Sequence, residues 1–443
     1  MSGASMLALN AFDPDGAAAL DPVERALVER RAAVFGGAVP LFYDRPLNIV
    51  RAEGVWLYDH ENRRYLDAYN NVPVVGHCHP HVVQAIATQA ARLNTHTRYL
   101  SEVVIGYAER LLATFPAPLA RVLFTTTGTE GIDLALRLSR VRTGRSGVIV
   151  TRFAYHGHSV AAAEITPAFG SGVGLGAHVR TVAAPVAGAR PEDVGPAFAR
   201  AVAQAIADLE RQGTPLGALV LDSVLSSDGL FVDPPGYLAE AVAQARAAGG
   251  LFVADEVQPG FGRTGAGMWG FTRHGLVPDI VVMGKPMGNG MPIGAVVTHA
   301  DILADFAART GYFNTFGGNT VSCAAAAAVL DVIEGEGLIG SAQKVGAHLK
   351  AGFTQLQAGL PCIGAVRGAG LYVAVDLVQR DDPAAPDTAL ARRLINGLRE
   401  RQILISTCGP AGNVLKIRPP LPFSTANADQ LLQATGELLA GSA

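Results

Sequence analysis

Charge is scarce in this chain, and cysteine scarcer still. Only 16% of the 443 residues are charged, against 49% hydrophobic, so a large packed interior or a large subunit interface must take up the apolar residues. The formal net charge is −3 and no block of lysine and arginine occurs. Both features exclude nucleic acid or an anionic membrane as a main partner. The four cysteines, Cys78, Cys323, Cys362 and Cys408, are scattered without a pair at metal-ligand spacing. That usage predicts a reduced, cytoplasmic protein without structural disulfides. No apolar stretch approaches the roughly 18–20 residues that cross a bilayer. Residues 1–20 carry no Lys or Arg before their short apolar patch. They are expected to form a loose arm that docks late or onto a partner subunit, rather than a signal peptide.

What is present is an alternation of helical and short β-branched segments. Helices are predicted at 81–93, 130–141 and 235–248, and buried strands at 122–125, 148–151, 218–222, 251–254 and 280–283. This order implies an α/β architecture, a mostly parallel sheet covered by helices on both faces. Ligand chemistry in such sheets collects at the carboxyl ends of strands. From about residue 320 the pattern changes to helices at 322–336, 341–358 and 388–401, with strands near 365–367, 371–376 and 414–417. The predicted organisation is an N-terminal arm with small-domain strands over 1–70, a large domain over 71–320, and a smaller α+β domain over 321–443.

The most informative residues are Asp255 and Lys285, thirty positions apart. The first lies in Leu251-Phe-Val-Ala-Asp-Glu-Val-Gln258, the second in Ile280-Val-Val-Met-Gly-Lys-Pro-Met-Gly-Asn-Gly290. A carboxylate and an amine at the ends of two strands of one sheet suit a pyridoxal phosphate site. The lysine forms the Schiff base, and the aspartate holds the pyridine nitrogen protonated so that the ring accepts electrons. Taken alone, Lys285 is as well read as an exposed surface lysine and Asp255 as a helix cap. Gln258 is placed to hydrogen-bond the phenolic oxygen of such a cofactor. Thr125-Thr-Thr-Gly-Thr-Glu130 joins a strand to a helix, and reads either as a phosphate cup or as an ordinary N-cap. Tyr155-His-Gly-His158 follows a strand, and its tyrosine either stacks on a pyridine ring or packs in the core.

His77-Cys-His-Pro-His81 has the residue types of a metal cluster, but the side chains are too close in sequence to converge on one tetrahedral ion. A structural role is the better reading. Lys416 and Arg418 alternate on a strand, which puts both on one face. They read as an anchor for an anionic substrate group or as a solvated edge.

Together these stretches resemble the class III (ω-amino acid type) aminotransferases, fold-type-I pyridoxal phosphate enzymes, from about residue 41 to residue 438. The segments that carry the likeness are Gly76-His-Cys-His-Pro80, Asp255-Glu-Val-Gln258 with Gly260-Phe-Gly-Arg-Thr-Gly265, and Met283-Gly-Lys-Pro-Met-Gly-Asn-Gly290. The resemblance implies that Lys285 and Asp255 are the catalytic pair. It sets Thr127, Gly128 and Thr129 at the cofactor phosphate, with Tyr155 and His156 beside the ring and Gln258 at the phenolic oxygen. Thr315 would reach the phosphate in a neighbouring subunit, which implies a homodimer with interfacial sites.

Within the family the chain looks most similar to phospholyases acting on ethanolamine phosphate or phosphohydroxylysine, through Leu93-Asn-Thr-His-Thr-Arg-Tyr-Leu100, Phe313-Asn-Thr-Phe-Gly-Gly318 and Leu404-Ile-Ser-Thr407. Three departures stand out. Gly131 and Ile132 replace the usual Ala-Asn after the phosphate cup and are expected to change the start of that helix. His158 stands where ornithine-type members carry an arginine, and Lys416 where many place the α-carboxylate arginine. The expected function is elimination of phosphate and ammonia from a phosphorylated amine, with transamination of an ω-amine as the alternative. Arg98, His158, Lys416 and Arg418 are the candidates for holding the substrate.

Overall fold

The apolar runs form the strands that their β-branched composition predicts. The computed structural model describes residues 5–441. Its large sheet has seven strands in the order Arg121–Thr125, Gly294–Thr298, Ile280–Met283, Leu251–Asp255, Leu216–Asp222, Gly147–Thr151 and Val179–Val182. Gly294–Thr298 runs antiparallel to both neighbours, and the remaining pairs are parallel. Alternate residues serve opposite layers. Val148, Val150, Ala218, Val220, Val253 and Val282 pack with Ile132, Ala135 and Leu138 of the helix Gly128–Thr143. The intervening Ile149, Leu219, Leu221, Phe252 and Val281 pack into a second layer with Phe198 and Val202 of the helix Pro191–Arg211. Strands buried on both faces are why these runs read as continuously hydrophobic.

Two strands of this sheet escape the sequence pattern. Val179–Val182 is a four-residue edge strand with Arg180 and Thr181 at its centre. Gly294–Thr298 follows the glycine-rich turn after Lys285 so closely that it reads as more loop. The helix expected from residue 235 begins only at Ala239, because Gly236 takes a positive φ of 87° just before it. The helices Glu102–Leu112, Pro191–Arg211, Ala300–Arg309 and Thr425–Ala440 were not anticipated.

The smaller sheets join distant parts of the chain. Ile49–Glu53, Trp56–Asp59 and Arg64–Asp67 form a meander whose last strand pairs in parallel with Ile403–Leu404. Ile363–Ala369, Tyr372–Leu377, Val414–Ile417 and Ser406–Cys408 make an antiparallel sheet. The N-terminal arm docks on its own chain. Phe12 is buried, its amide donates to the Leu41 carbonyl at 2.8 Å, and the Tyr43 amide donates to the Asn10 carbonyl at 2.9 Å.

The three histidines of the 77–81 segment turn to three separate carboxylates. His77 meets Asp67 at 2.7 Å, His79 meets Glu336 at 3.1 Å and His81 meets Asp331 at 2.8 Å.

Candidate active site

Parallel register brings two carboxylates side by side. Leu216–Asp222 and Leu251–Asp255 end at the same level, with Asp222 opposite Asp255. Lys285 follows the next strand, Ile280–Met283, by two residues. Gly284 makes its approach possible, since a Cβ there would stand 3.0 Å from the Gly128 amide nitrogen. Strand ends and helix start thus enclose a cavity of about 240 Å³, lined by Thr127, Gly128, Thr129, Tyr155, His156, His158, Asp222, Asp255, Gln258 and Lys285.

Asp255 is fixed on both carboxylate oxygens. Oδ2 lies 2.7 Å from Nδ1 of buried His156, and Oδ1 accepts from the Val257 amide at 3.1 Å. Asp222 accepts from the Val224 amide at 2.9 Å and from the Ser226 hydroxyl. Burial raises its pKa, and the charge of Asp255 adds to the rise. The Lys285 side chain is exposed to the cavity. Enclosure by the surrounding protein, then the charge of Arg418, lower its amine to about 8 against the pull of Asp255 and Asp222. An amine so placed is partly free base near neutral pH, far more so than an ordinary lysine.

The other end of the cavity is cationic by geometry rather than by side chain. Thr127 caps the helix Gly128–Thr143, its hydroxyl accepting from the Glu130 amide at 3.2 Å. The Gly128 and Thr129 amides lie in the unpaired first turn, a ready site for phosphate oxygens. Gly131 lets the helix sit on the sheet, where a Cβ would stand 2.6 Å from Val282 Cγ1. Ile132 is buried in the same layer.

Gln258 is oriented from behind. Its Oε1 accepts from the Tyr372 hydroxyl at 3.1 Å and from Arg418 Nη1 at 3.0 Å. With the carbonyl end so engaged, the amide NH₂ is left as the donor for a ligand oxygen.

A second cavity of about 370 Å³ shares Tyr155, Gln258 and Lys285 with the first. Ser227, Ser406, Thr407, Lys416 and Arg418 line it, and among the described residues no acidic one does. Lys416 is 4% exposed and Arg418 7%, so neither is the solvated edge that alternation alone allowed. Arg418 is occupied by Asn71 and Gln258, with its guanidinium 4.5 Å from the Tyr69 ring. The Lys416 amine makes no hydrogen bond or ion pair among the described residues. Burial, reinforced by Arg418, lowers it to about 7.

Residues 42–439 match the family described as Aminotransferase class-III. This chain is a class III aminotransferase-family enzyme. An alanine–glyoxylate aminotransferase 2-like protein of Drosophila melanogaster is 40% identical over 93% of this chain and 86% of its own length. An ethanolamine-phosphate phospho-lyase homolog of Caenorhabditis elegans is 37% identical over 93% of both chains. Among solved structures, an Arthrobacter phospholyase in complex with phosphoethanolamine superposes with a TM-score of 0.91 at 44% identity. That alignment covers 94% of this chain and 99% of the Arthrobacter one. The family depends on pyridoxal phosphate. The donor set here fits that group, with a buried carboxylate, a free amine, an oriented amide and unpaired helix amides around one ring-sized cavity.

In this class III enzyme, Arg98 and Thr315 line neither cavity of their own chain. Both are exposed, and Arg98 lies 3.9 Å over the Phe313 ring. His158 sits exposed at the rim of the first cavity, 3.3 Å from the Thr129 hydroxyl. Sequence reasoning missed Asp222, although it ends a buried strand just as Asp255 does. It also missed Tyr372, Asn71 and Ser227, whose relevance comes only from segments meeting in space.

Proposed function

We propose that this enzyme is a phospholyase that eliminates phosphate and ammonia from ethanolamine phosphate or a similar phosphorylated amine. The observation that carries this reading is Lys416, a buried amine that makes no hydrogen bond or ion pair among the described residues and is drawn on only at a distance by Asp222, in a cavity that opens onto Lys285 and that no described acidic residue lines. A buried, uncompensated cation is costly unless a ligand supplies the opposite charge. A phosphate monoester, carrying close to two negative charges and several acceptor oxygens, suits Lys416, Arg418 and the nearby hydroxyls. The Arthrobacter phospholyase, captured with phosphoethanolamine, supports the same choice.

Pyridoxal phosphate, held by Asp255, Gln258 and the first turn of Gly128–Thr143, supplies an electron-accepting ring. Lys285 takes the proton from the carbon bearing the amine. The adjacent carbon–oxygen bond breaks, and Lys416 and Arg418 hold the departing phosphate. Water then releases ammonia and acetaldehyde. If the adjacent carbon has no leaving group, Lys285 returns the proton elsewhere and transamination results, the reading favoured by the alanine–glyoxylate aminotransferase relative. We also propose a homodimer in which Thr315 serves the neighbouring subunit. Leu100, Tyr99 and Phe316, 97%, 66% and 66% exposed around Arg98 and Thr315, are the apolar surface that such a partner would cover.

Purified holoenzyme given ethanolamine phosphate without keto acid should release inorganic phosphate and acetaldehyde stoichiometrically over many turnovers. Absence of release, together with alanine formation from an ω-amine and pyruvate, would make the enzyme a transaminase.

Lys416 also predicts a pH signature. With a value lowered to about 7, the free amine is cationic below that pH and neutral above it. Bound phosphate favours the charged form, so KM for ethanolamine phosphate should rise as pH climbs beyond about 7. Arginine stays charged throughout, so Lys416→Arg should flatten the alkaline rise. Lys416→Met should raise KM on the order of 10- to 100-fold at neutral pH, the loss of one charged hydrogen bond. An unchanged KM profile in both variants would remove Lys416 from the phosphate site.

A further inference from the structure

The second cavity has two unlike sides. Lys285, Lys416 and Arg418 provide the cationic side, and Met6, Leu7 and Leu9 of the N-terminal arm contribute to an apolar one. The arm is held at few points. Its turn Met6–Ala8 rests against the segment Pro167–Gly172 of the large-sheet region. Leu9 fits a notch at Gly412, where a Cβ would stand 2.7 Å from Leu9 Cδ2. The backbone bonds at Asn10 and Phe12 secure the far end. The strap thus touches the large-sheet region on one side and the turn before Val414–Ile417 on the other.

One feature opposes docking. Asn10 takes a positive φ of 57°, and both polar atoms of its side-chain amide are buried without a hydrogen-bond partner. Such a group costs free energy in the docked position. The strap is therefore held closed by apolar contact against an opposing polar penalty, the balance expected of a segment that opens.

From this arrangement we infer that the N-terminal strap, through Leu7 and Leu9, is a specificity-determining wall that limits this enzyme to short, unbranched amine substrates. The wall adds apolar surface beside Lys416 and Arg418 without contributing any group to the chemistry. Excluding water there strengthens the contacts of the cations with a bound anion. A substituent that extends toward the arm meets Leu7 and Leu9, and room for it there requires Leu9 to leave the Gly412 notch. The inference rests on the reading of this cavity as the amine-substrate site, but not on whether phosphate is the leaving group.

The test compares ethylamine with benzylamine as probes of the wild-type holoenzyme and of Leu9→Ala and Gly412→Ala. The first variant trims the wall, and the second pushes Leu9 out of its notch. Amine binding is read as the change in visible absorbance, with thermal unfolding as a check on folding. The ratio of the benzylamine to the ethylamine dissociation constant should fall on the order of tenfold in either variant, the usual worth of relieving a small steric block. Ethylamine affinity and the absorbance without amine should stay unchanged. If the ratio stays at its wild-type value in both folded variants, the strap is not a specificity wall. Phosphate release from ethanolamine phosphate, measured on the same preparations, reports separately on the phospholyase reading.

Discussion

Lys285→Ala should lose turnover by at least roughly 10⁴-fold, the upper end of what one positioned general base supplies. It should also lose the visible absorbance of the lysine-bound cofactor. Both losses follow from one amine. Lys285 is the lysine of the first cavity, its value lowered to about 8 by enclosure and by Arg418. Lys416 lies in the adjoining cavity on a different strand, where the proposed role is to hold the substrate anion rather than to reach the reacting carbon. It should not substitute for Lys285. Single-turnover kinetics with an amine substrate, followed by the absorbance spectrum of the dialysed protein, check the expectation. An active Lys285→Ala enzyme would sink the whole assignment.

Asp255→Asn should separate the two readouts. The side chain keeps its shape and loses its charge, so the lysine-bound absorbance should still form. Turnover should fall on the order of 10³-fold, as when a single preorganised electrostatic contact is removed from a buried site. The loss arises because a neutral amide cannot hold a ring nitrogen protonated. His156, 2.7 Å from the carboxylate, positions Asp255 and cannot replace its charge. Measuring kcat alongside cofactor retention distinguishes this from simple loss of binding. A variant that retains wild-type kcat would show that Asp255 is only a structural anchor.

The candidate site was legible in unequal measure, for a physical reason. Asp255 and Lys285 announce themselves because each ends an apolar β-branched run, and parallel strands deliver their carboxyl ends to one edge. The phosphate cup at Thr127, Gly128 and Thr129 is legible because a strand-to-helix junction is a local event. Asp222 carried the same local signal as Asp255 and was passed over because no glycine-rich turn follows it. The antiparallel strand Gly294–Thr298 was hidden by the glycines before it.

The sequence by itself determined the fold class and the cofactor and brought Lys285 forward as the candidate lysine, because those depend on periodicity and on residues local to strand ends. Tertiary structure alone decided what surrounds them. It turned Lys416 and Arg418 from an ambiguous alternating pair into buried cations, engaged Arg418 with Asn71 and Gln258, and left Lys416 without a hydrogen bond or ion pair among the described residues. It also left Arg98 and Thr315 outside both cavities of their own chain, and laid Met6, Leu7 and Leu9 along the second cavity. None of these follows from spacing, because each joins segments hundreds of residues apart, and only packing brings such segments into one dielectric environment.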